Sequence, residues 1–382
     1  MSSGLKTGNE LNLCMKYKEI EENCLSGLVD SLKETPQDKK YHGEGDVYTH
    51  TRLVYDSLDT IGLTEYQESI LRIAALLHDI GKIRTTQDLG NGDIVCPNHS
   101  IIGAKMTREI LWKKFGLVGT KEAMLYREAV VSLVRYHGFP PHALTDSDGI
   151  PKLYRIAATG FLSPDFNLDL LYRLSKADIQ GRICADKEVS LENIEYFRVL
   201  AEDEGLLEGM GHLGEDPYSD HKFLGFGTGN CSRPSLFDDT WGEVILMCGL
   251  PGTGKDTWIK KNSDLAVISL DQIREELGLK PGSIDGKIIQ AAKEKAKEYL
   301  RRKESFVWNA TNLGRSRGQL IDLFESYKAR VKIIYLETTP EEQTKRNHSR
   351  EAIVPEEVID KMISSLVLPE YYEAQEVKWE IV

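Results

Sequence analysis

Apolar positions recur at helical spacing through the first half of the chain. In Leu71-Arg-Ile-Ala-Ala-Leu-Leu-His-Asp79 and from Glu122 to Tyr136 they fall on one or more helix faces. From Leu168 to Asp178 the residues Leu170, Leu171, Leu174 and Ala177 line one side of a further predicted helix. No run alternates like a strand before about residue 240. Between Glu202 and Asp239 glycine, aspartate and proline crowd together (EGMGHLGEDPYSDHKFLGFGTGN), the composition of a connecting segment. Beyond it the period changes. Short apolar runs at Val244–Cys248, Leu265–Ser269, Phe306–Asn309 and Val331–Leu336 alternate with helical stretches, the longest from Asp285 to Lys303. Strand–helix alternation predicts a parallel sheet with helices on its faces. The expected architecture is multidomain α and α/β: an all-α domain over residues 1–215, a linker at 216–239 and an α/β domain over 240–382.

Composition narrows the class. The 382 residues are 41% hydrophobic and 28% charged, ordinary for a globular protein. No apolar run approaches the ~20 residues needed to cross a bilayer. The first residues lack a basic stretch followed by an apolar core, so a cytoplasmic protein is expected. Six cysteines (Cys14, Cys24, Cys96, Cys184, Cys231, Cys248) include no CxxC pair, which fits reduced thiols. A formal charge of −12 weighs against a protein that coats nucleic acid, which needs many cationic contacts to phosphates. It leaves room for an enzyme that grips only a strand end.

Candidate chemistry in the first half rests on His50, the pair His78-Asp79, His99, His137 and Asp178. Imidazole and carboxylate together suit divalent Mn, Fe, Co, Ni or Zn better than Ca. Any one of these histidines alone reads as a satisfied core or surface residue. The pair differs, because an apolar helix ending in His-Asp is costly unless both find partners. Gly81 then turns the chain and presents Lys82.

These residues resemble the HD phosphohydrolase superfamily. Tyr41–Val54 (YHGEGDVYTHTRLV) is similar to the start of the HD domain in bacterial CCA-adding tRNA nucleotidyltransferases. LLHDIGK, NHSIIGA (His99 to Ala104 within it) and KADIQGR (Lys176–Arg182) continue the likeness over about residues 40–185. The resemblance implies that His50, His78, Asp79 and Asp178 are core metal ligands and that His99 and His137 serve a second ion. His42 and Glu44 match the family's first motif, and Lys82 would steady a substrate phosphate. The implied reaction is hydrolysis by a metal-activated water, with one or two divalent transition-metal ions as cofactor.

In the second half, Val244–Cys248 runs into Gly249-Leu-Pro-Gly252-Thr253-Gly254-Lys255-Asp256-Thr257. A strand followed by GxxxxGK and a helix is a P-loop, whose backbone N–H groups and helix N-terminus cradle phosphates while Lys255 reaches the β/γ groups. Asp256 stands where Ser or Thr ordinarily holds Mg²⁺; Asp256 directly, Asp256 through water, or Thr257 one residue on are the alternative holders. Asp271, just beyond the second strand, is placed to accept a proton from an attacking hydroxyl. Arg274, three residues on, would share its side and pair with an acceptor phosphate. An N-cap aspartate beside an exposed arginine is the plainer reading, and both can hold. Lys345-Arg346-Asn-His-Ser-Arg350, read alone, is a solvated helix face. After the fourth strand of a P-loop kinase it reads as a lid, with Arg346 and Arg350 closing on the nucleotide.

P-loop, DxxR and late arginines together resemble the 5′-OH polynucleotide kinase branch of P-loop phosphotransferases over about residues 240–370. HD module first and kinase second is the order of the bacterial HD-Pnk end-healing enzymes. The resemblance implies a kinase using ATP or another NTP with Mg²⁺ or Mn²⁺ on 5′-OH ends. It also implies an HD domain removing 2′,3′-cyclic, 2′ or 3′ phosphate from RNA or DNA ends, with a separate ligase as partner. The alternative is an HD nucleotidase fused to a kinase for a nucleoside or small alcohol. A non-catalytic sensor is disfavoured, since every HD ligand is present and only position 256 is irregular.

Overall fold

The structure, a computed structural model, describes residues 8–90, 92–226, 236–279, 286–314, 316–350 and 353–382. It divides into two compact units, Met1–Leu117 with Leu125–His212, and Val118–Met124 with Leu213–Val382.

The first unit is helical, and three of its helices position His50, His78, Asp79 and Asp178. Helix Glu65–Leu77 begins with a capping box, in which Gln67 N–H donates to Thr64 Oγ1 and Thr64 N–H donates to the Gln67 side chain. Its later residues, Ile70, Leu71 and Ile73 through Leu77, are all buried, so it runs through the core rather than along a surface. It therefore delivers His78 and Asp79, immediately past its end, into the protein interior. Helix Val47–Asp56 starts at Asp46, which accepts from Thr49 N–H, and turns His50, Thr51 and Val54 inward. Helix Leu168–Gly181 is capped by Asn167 and buries Leu170, Leu171, Leu174, Ala177 and Asp178. Gly81 lets the turn after His-Asp press on helix His99–Lys113. A β-carbon there would lie 2.0 Å from the His99 carbonyl oxygen and 2.6 Å from Gly103 N.

Two strands, β1 (Gln87–Asp88) and β2 (Ile94–Val95), pair antiparallel in this unit. They correct the expectation of no strand before residue 240. Two residues apiece are too few to show a period.

The second unit holds a five-stranded parallel sheet of β3 (Trp241–Cys248), β4 (Ala266–Ser269), β5 (Phe306–Asn309), β6 (Ala329–Glu337) and β7 (Glu376–Ile381), in the order β4-β5-β3-β6-β7. The inner strands β3, β5 and β6 are almost wholly buried at their C-terminal ends, as a sheet covered on both faces requires. Ile245, Met247, Val307, Ile334 and Leu336 form one core with Ile259 of the helix Lys255–Asn262. After β3 the chain passes to the edge strand β4, returns to β5 beside β3, and then crosses to β6 and β7 on the other side. The loop following β3 thus lies at the topological switch point, where such sheets bind ligands. The α-then-parallel-α/β architecture read from the pattern is the one observed.

Part of the stretch expected to be a linker is ordered. Pro217–Phe226 forms a helix, and its His221 is hydrogen-bonded to the Tyr372 carbonyl (2.7 Å) and paired with Glu325. Lys222 reaches the other oxygen of Glu325 at 2.7 Å. Residues 227–235 of that expected linker lie outside the described residues, as does Asp285, the expected start of the long helix, which runs Gly286–Arg302. Cys24, Cys96, Cys184 and Cys248 are free thiols.

Candidate metal centre and candidate nucleotide site

Residues separated by up to 128 positions converge in the helical unit. His50 Nε2 lies 3.0 Å from Asp178 Oδ1 and 3.3 Å from His78 Nε2. His78 Nε2 is 3.3 Å from Asp79 Oδ2. On the other side of the same carboxylate, Asp79 Oδ1 faces His99 Nε2 at 3.5 Å and His137 Nε2 at 3.8 Å. The six predicted ligands therefore form two adjoining sets, His50/His78/Asp178 and Asp79/His99/His137, each with its ligand atoms within 4.8 Å of one another. Asp79 presents one oxygen to each set.

The donor chemistry fits divalent cations. His78, His99 and His137 each direct Nδ1 at a backbone carbonyl three residues earlier, on Ala75, Cys96 and Val134, at 2.8, 3.0 and 2.8 Å. Those carbonyls accept a hydrogen bond from Nδ1–H, which leaves the Nε2 lone pairs pointing into the cluster. Asp79 Oδ1 is buried and accepts no hydrogen bond, a costly state for a carboxylate oxygen unless a cation meets it.

Around this centre lies a second ring of polar groups. Glu44 Oε1 is 2.8 Å from both His42 Nδ1 and His50 Nδ1, and Glu44 Oε2 accepts from Ile183 N–H. Glu44 is thus a carboxylate behind a ligating imidazole, and His42 faces it rather than the cluster. Arg182 grips Asp178 with two of its nitrogens, Nη2 at 2.6 Å and Nε at 3.1 Å. Lys82 is buried, with its ammonium 2.7 Å from Asp79 Oδ2, 2.6 Å from Gln37 Oε1 and 3.4 Å from His42 Nε2. Those partners occupy all three of its protons, so here Lys82 holds Asp79. Sequence reasoning missed Gln37 and Arg182, since a glutamine and an arginine carry no spacing signal.

In the second unit the P-loop leaves β3 with Gly249, Gly252 and Gly254 at φ of +142°, +80° and +87°, angles side chains resist. Lys255 Nζ donates to the carbonyls of Gly249 and Leu250 at 2.9 Å, folding back across the loop. The Thr253 hydroxyl donates within the loop to Leu250 O. Asp256 accepts from the Asn309 amide at 2.6 Å, while Thr257 is exposed. Arg346, on helix Pro340–His348, stands against the loop: a β-carbon on Gly254 would meet its Nη1 at 2.6 Å. Gln343 of the same helix donates to Pro251 O at 3.0 Å. The second expected lid residue, Arg350, instead pairs with Asp271 Oδ2 at 2.8 Å, and Arg274 pairs with Asp271 Oδ1.

Two family models match the chain. Residues 47–158 match the family model described as HD domain, and residues 244–369 match the one described as AAA domain. The chain joins a helical HD domain to a P-loop α/β domain. Similar solved structures include a gluconokinase from Sinorhizobium meliloti 1021 (18% identical, covering 37% of this chain and 85% of that one, TM-score 0.29). Another is Chaetomium thermophilum Kti12 in complex with ADP-AlF3 (14% identical, covering 36% of this chain and 88% of that one, TM-score 0.27). Among the described residues no helix is long and apolar enough to cross a membrane.

Electrostatics prepare the HD domain's side chains for a cation. Burial pushes the His137 imidazole down to about 3, with His78 adding to the effect, so it stays neutral and able to donate its lone pair. Burial likewise takes His42 down to about 4 against the pull of Glu44. Burial opposes ionisation of Asp79, yet Lys82, His78 and His99 hold it well below the usual carboxylate range. For Asp178, Arg182 and His50 outweigh burial in the same way.

In the P-loop domain, burial lowers Lys255 to about 8. Nucleotide phosphates raise the pKa of a nearby ammonium, so binding takes up a proton wherever free Lys255 is neutral. The affinity contribution is complete below about pH 8 and is lost as pH rises through the higher bound-state pKa. Calorimetry of Mg-ADP binding in buffers of different ionisation heat should give uptake approaching one proton at pH 9 and little at pH 7. Equal values at both would show that Lys255 is charged throughout.

Proposed function

We propose that this chain heals broken nucleic-acid ends, RNA first among them. The P-loop domain, residues 240–382, phosphorylates a 5′-OH, and the HD domain, within residues 1–215, removes 2′,3′-cyclic, 2′ or 3′ phosphate. The observation that carries the reading is the cluster of Asp271, Arg274 and Arg350 beside the P-loop. Asp271 is half exposed, and it and Arg350 lie close enough to Lys255 to influence its charge. An accessible carboxylate can take the proton of an attacking hydroxyl, and flanking guanidinium groups suit an acceptor that carries its own phosphate. A nucleotide at a strand end has one; a free nucleoside or a sugar does not.

Divalent ions at the HD site would supply a hydroxide near neutral pH and polarise the phosphoryl oxygen. The protein's part is to hold them. Arg182 and Lys82 fix the carboxylates, Glu44 fixes His50, and three backbone carbonyls fix the other imidazoles. In the kinase, Lys255 leaves its loop carbonyls for the β/γ-phosphates, and Arg346 and Arg350 meet the developing charge. A membrane-free, cytoplasmic enzyme working upstream of a separate ligase accords with this pairing.

The direct test offers the purified protein an RNA with 5′-OH and 2′,3′-cyclic phosphate ends, ATP or another NTP, and a panel of divalent metals. Both ends should be converted. Phosphorylation confined to nucleosides or small alcohols would favour the fusion of an HD nucleotidase with a metabolic kinase. Arg274→Ala sharpens the choice. Loss of a charge-assisted contact worth about 1.5–3 kcal/mol should raise KM roughly 10–100-fold for a 3′-phosphorylated acceptor. KM for an acceptor lacking that phosphate should stay unchanged. An equal rise for both would remove Arg274 from acceptor recognition.

A further inference from the structure

Asp256 is the irregular residue of the P-loop, and its surroundings give it a role. It is the second residue of the helix Lys255–Asn262 and is exposed. Its partner Asn309 is the last residue of β5, in register with Met247 of β3 and Ser269 of β4 at the carboxyl edge of the sheet. Asn309 is buried, and its amide nitrogen donates to Asp256 Oδ1 at 2.6 Å. Among the described residues this is the sole hydrogen bond Asp256 receives, and no Lys or Arg is paired with it. Lys255, its neighbour, is turned to the carbonyls of Gly249 and Leu250.

A carboxylate whose only cationic influence among the described residues is the neighbouring Lys255, itself turned to loop carbonyls, therefore stands where a polyphosphate must dock. Ser or Thr in that place offers a neutral oxygen to the ion. A carboxylate offers a stronger, charged oxygen, but it repels the nucleotide whenever no cation lies between them. Helix-end preference alone explains an acidic residue in the first turn. It does not explain a buried amide spent on fixing one of the carboxylate's oxygens.

We infer that Asp256 is a direct ligand of the divalent ion that accompanies the nucleotide, with Asn309 as its positioning residue, so that nucleotide binding at this P-loop is coupled to metal. The inference rests on the P-loop being a nucleotide site. Asn309 fixes Oδ1 and leaves Oδ2 to face the ion, the usual way an outer amide orients a ligating carboxylate. The charge on Asp256 then makes the metal-free nucleotide a poor ligand.

The test measures ADP affinity by calorimetry on the full chain, with Mg²⁺ and with EDTA, for the unchanged protein, Asp256→Ser, Asp256→Asn and Asn309→Ala. The EDTA arm treats the HD centre alike in every protein, so only the ratio of the two affinities is compared. In the unchanged protein ADP should bind at least about 100-fold more weakly in EDTA. Asp256→Ser and Asp256→Asn should bind metal-free ADP about tenfold or more tightly than the unchanged protein, shrinking the ratio from that side. Asn309→Ala should keep weak binding in EDTA and lose about tenfold with Mg²⁺, in line with loss of an outer-sphere partner. Circular dichroism checks that each variant is folded. If neither Asp256 variant alters the ratio, Asp256 is a helix-end residue and the inference fails. If the unchanged protein binds ADP in neither condition, the nucleotide-site reading itself fails and takes the inference with it.

Discussion

Asp79→Asn should lower phosphate release from a 2′,3′-cyclic or 3′-phosphate end by about 10³-fold or more, while 5′-OH phosphorylation stays at its original rate. The size follows from the position of Asp79 between the two ligand sets, with Oδ2 toward His78 and Oδ1 toward His99 and His137. One substitution takes a ligand from both. Metal-ion catalysis is worth several kcal/mol of transition-state stabilisation, and each 1.36 kcal/mol is about tenfold in rate. Asparagine keeps the shape and still offers Lys82 an oxygen, so the buried ammonium is not stranded. Two measurements separate a lost centre from a lost fold. Elemental analysis should show the bound transition metal falling, and the melting temperature of the metal-free protein should change little. Phosphatase activity that survives the substitution would dismiss the HD centre as the hydrolytic site.

That an apolar helix ending in His-Asp needs partners was legible in the sequence; which residues those are came from the resemblance to the HD superfamily, and the structure brings the same six together. What could not be read was the outer ring. Glu44 reaches His50 only because the segment before helix Val47–Asp56 folds back on it, and Lys82 finds Gln37 across 45 residues. The sheet shows the same division. The runs ending in Cys248 and Asn309 are continuous and apolar, as buried parallel strands must be. Strand β7 escaped notice because EVKWEI is half polar, a composition suited to an edge that pairs only with β6. The helix Pro217–Phe226 was hidden behind a glycine-rich composition. His221 and Lys222 pair with Glu325, more than 100 residues away, and no local pattern records such a contact.

Asp271→Asn should lower kcat for 5′-OH phosphorylation by about 10²–10⁴-fold, the usual worth of a positioned general base, and leave KM for ATP and the phosphatase nearly unchanged. Pairing and proton transfer make different demands on this carboxylate. It pairs with Arg274 and Arg350, and it is exposed enough to meet an acceptor hydroxyl. If pairing were its whole role, freeing two arginines would chiefly alter binding, and KM would move more than kcat. If it takes the proton, kcat falls and the limb of the pH–rate profile that reports the base disappears. Asparagine preserves the hydrogen-bonding oxygen for both arginines and removes only the basicity. A variant with unchanged kcat and a raised acceptor KM would therefore move Asp271 from proton transfer to substrate positioning. The base would then have to be sought elsewhere along the carboxyl edge of the sheet.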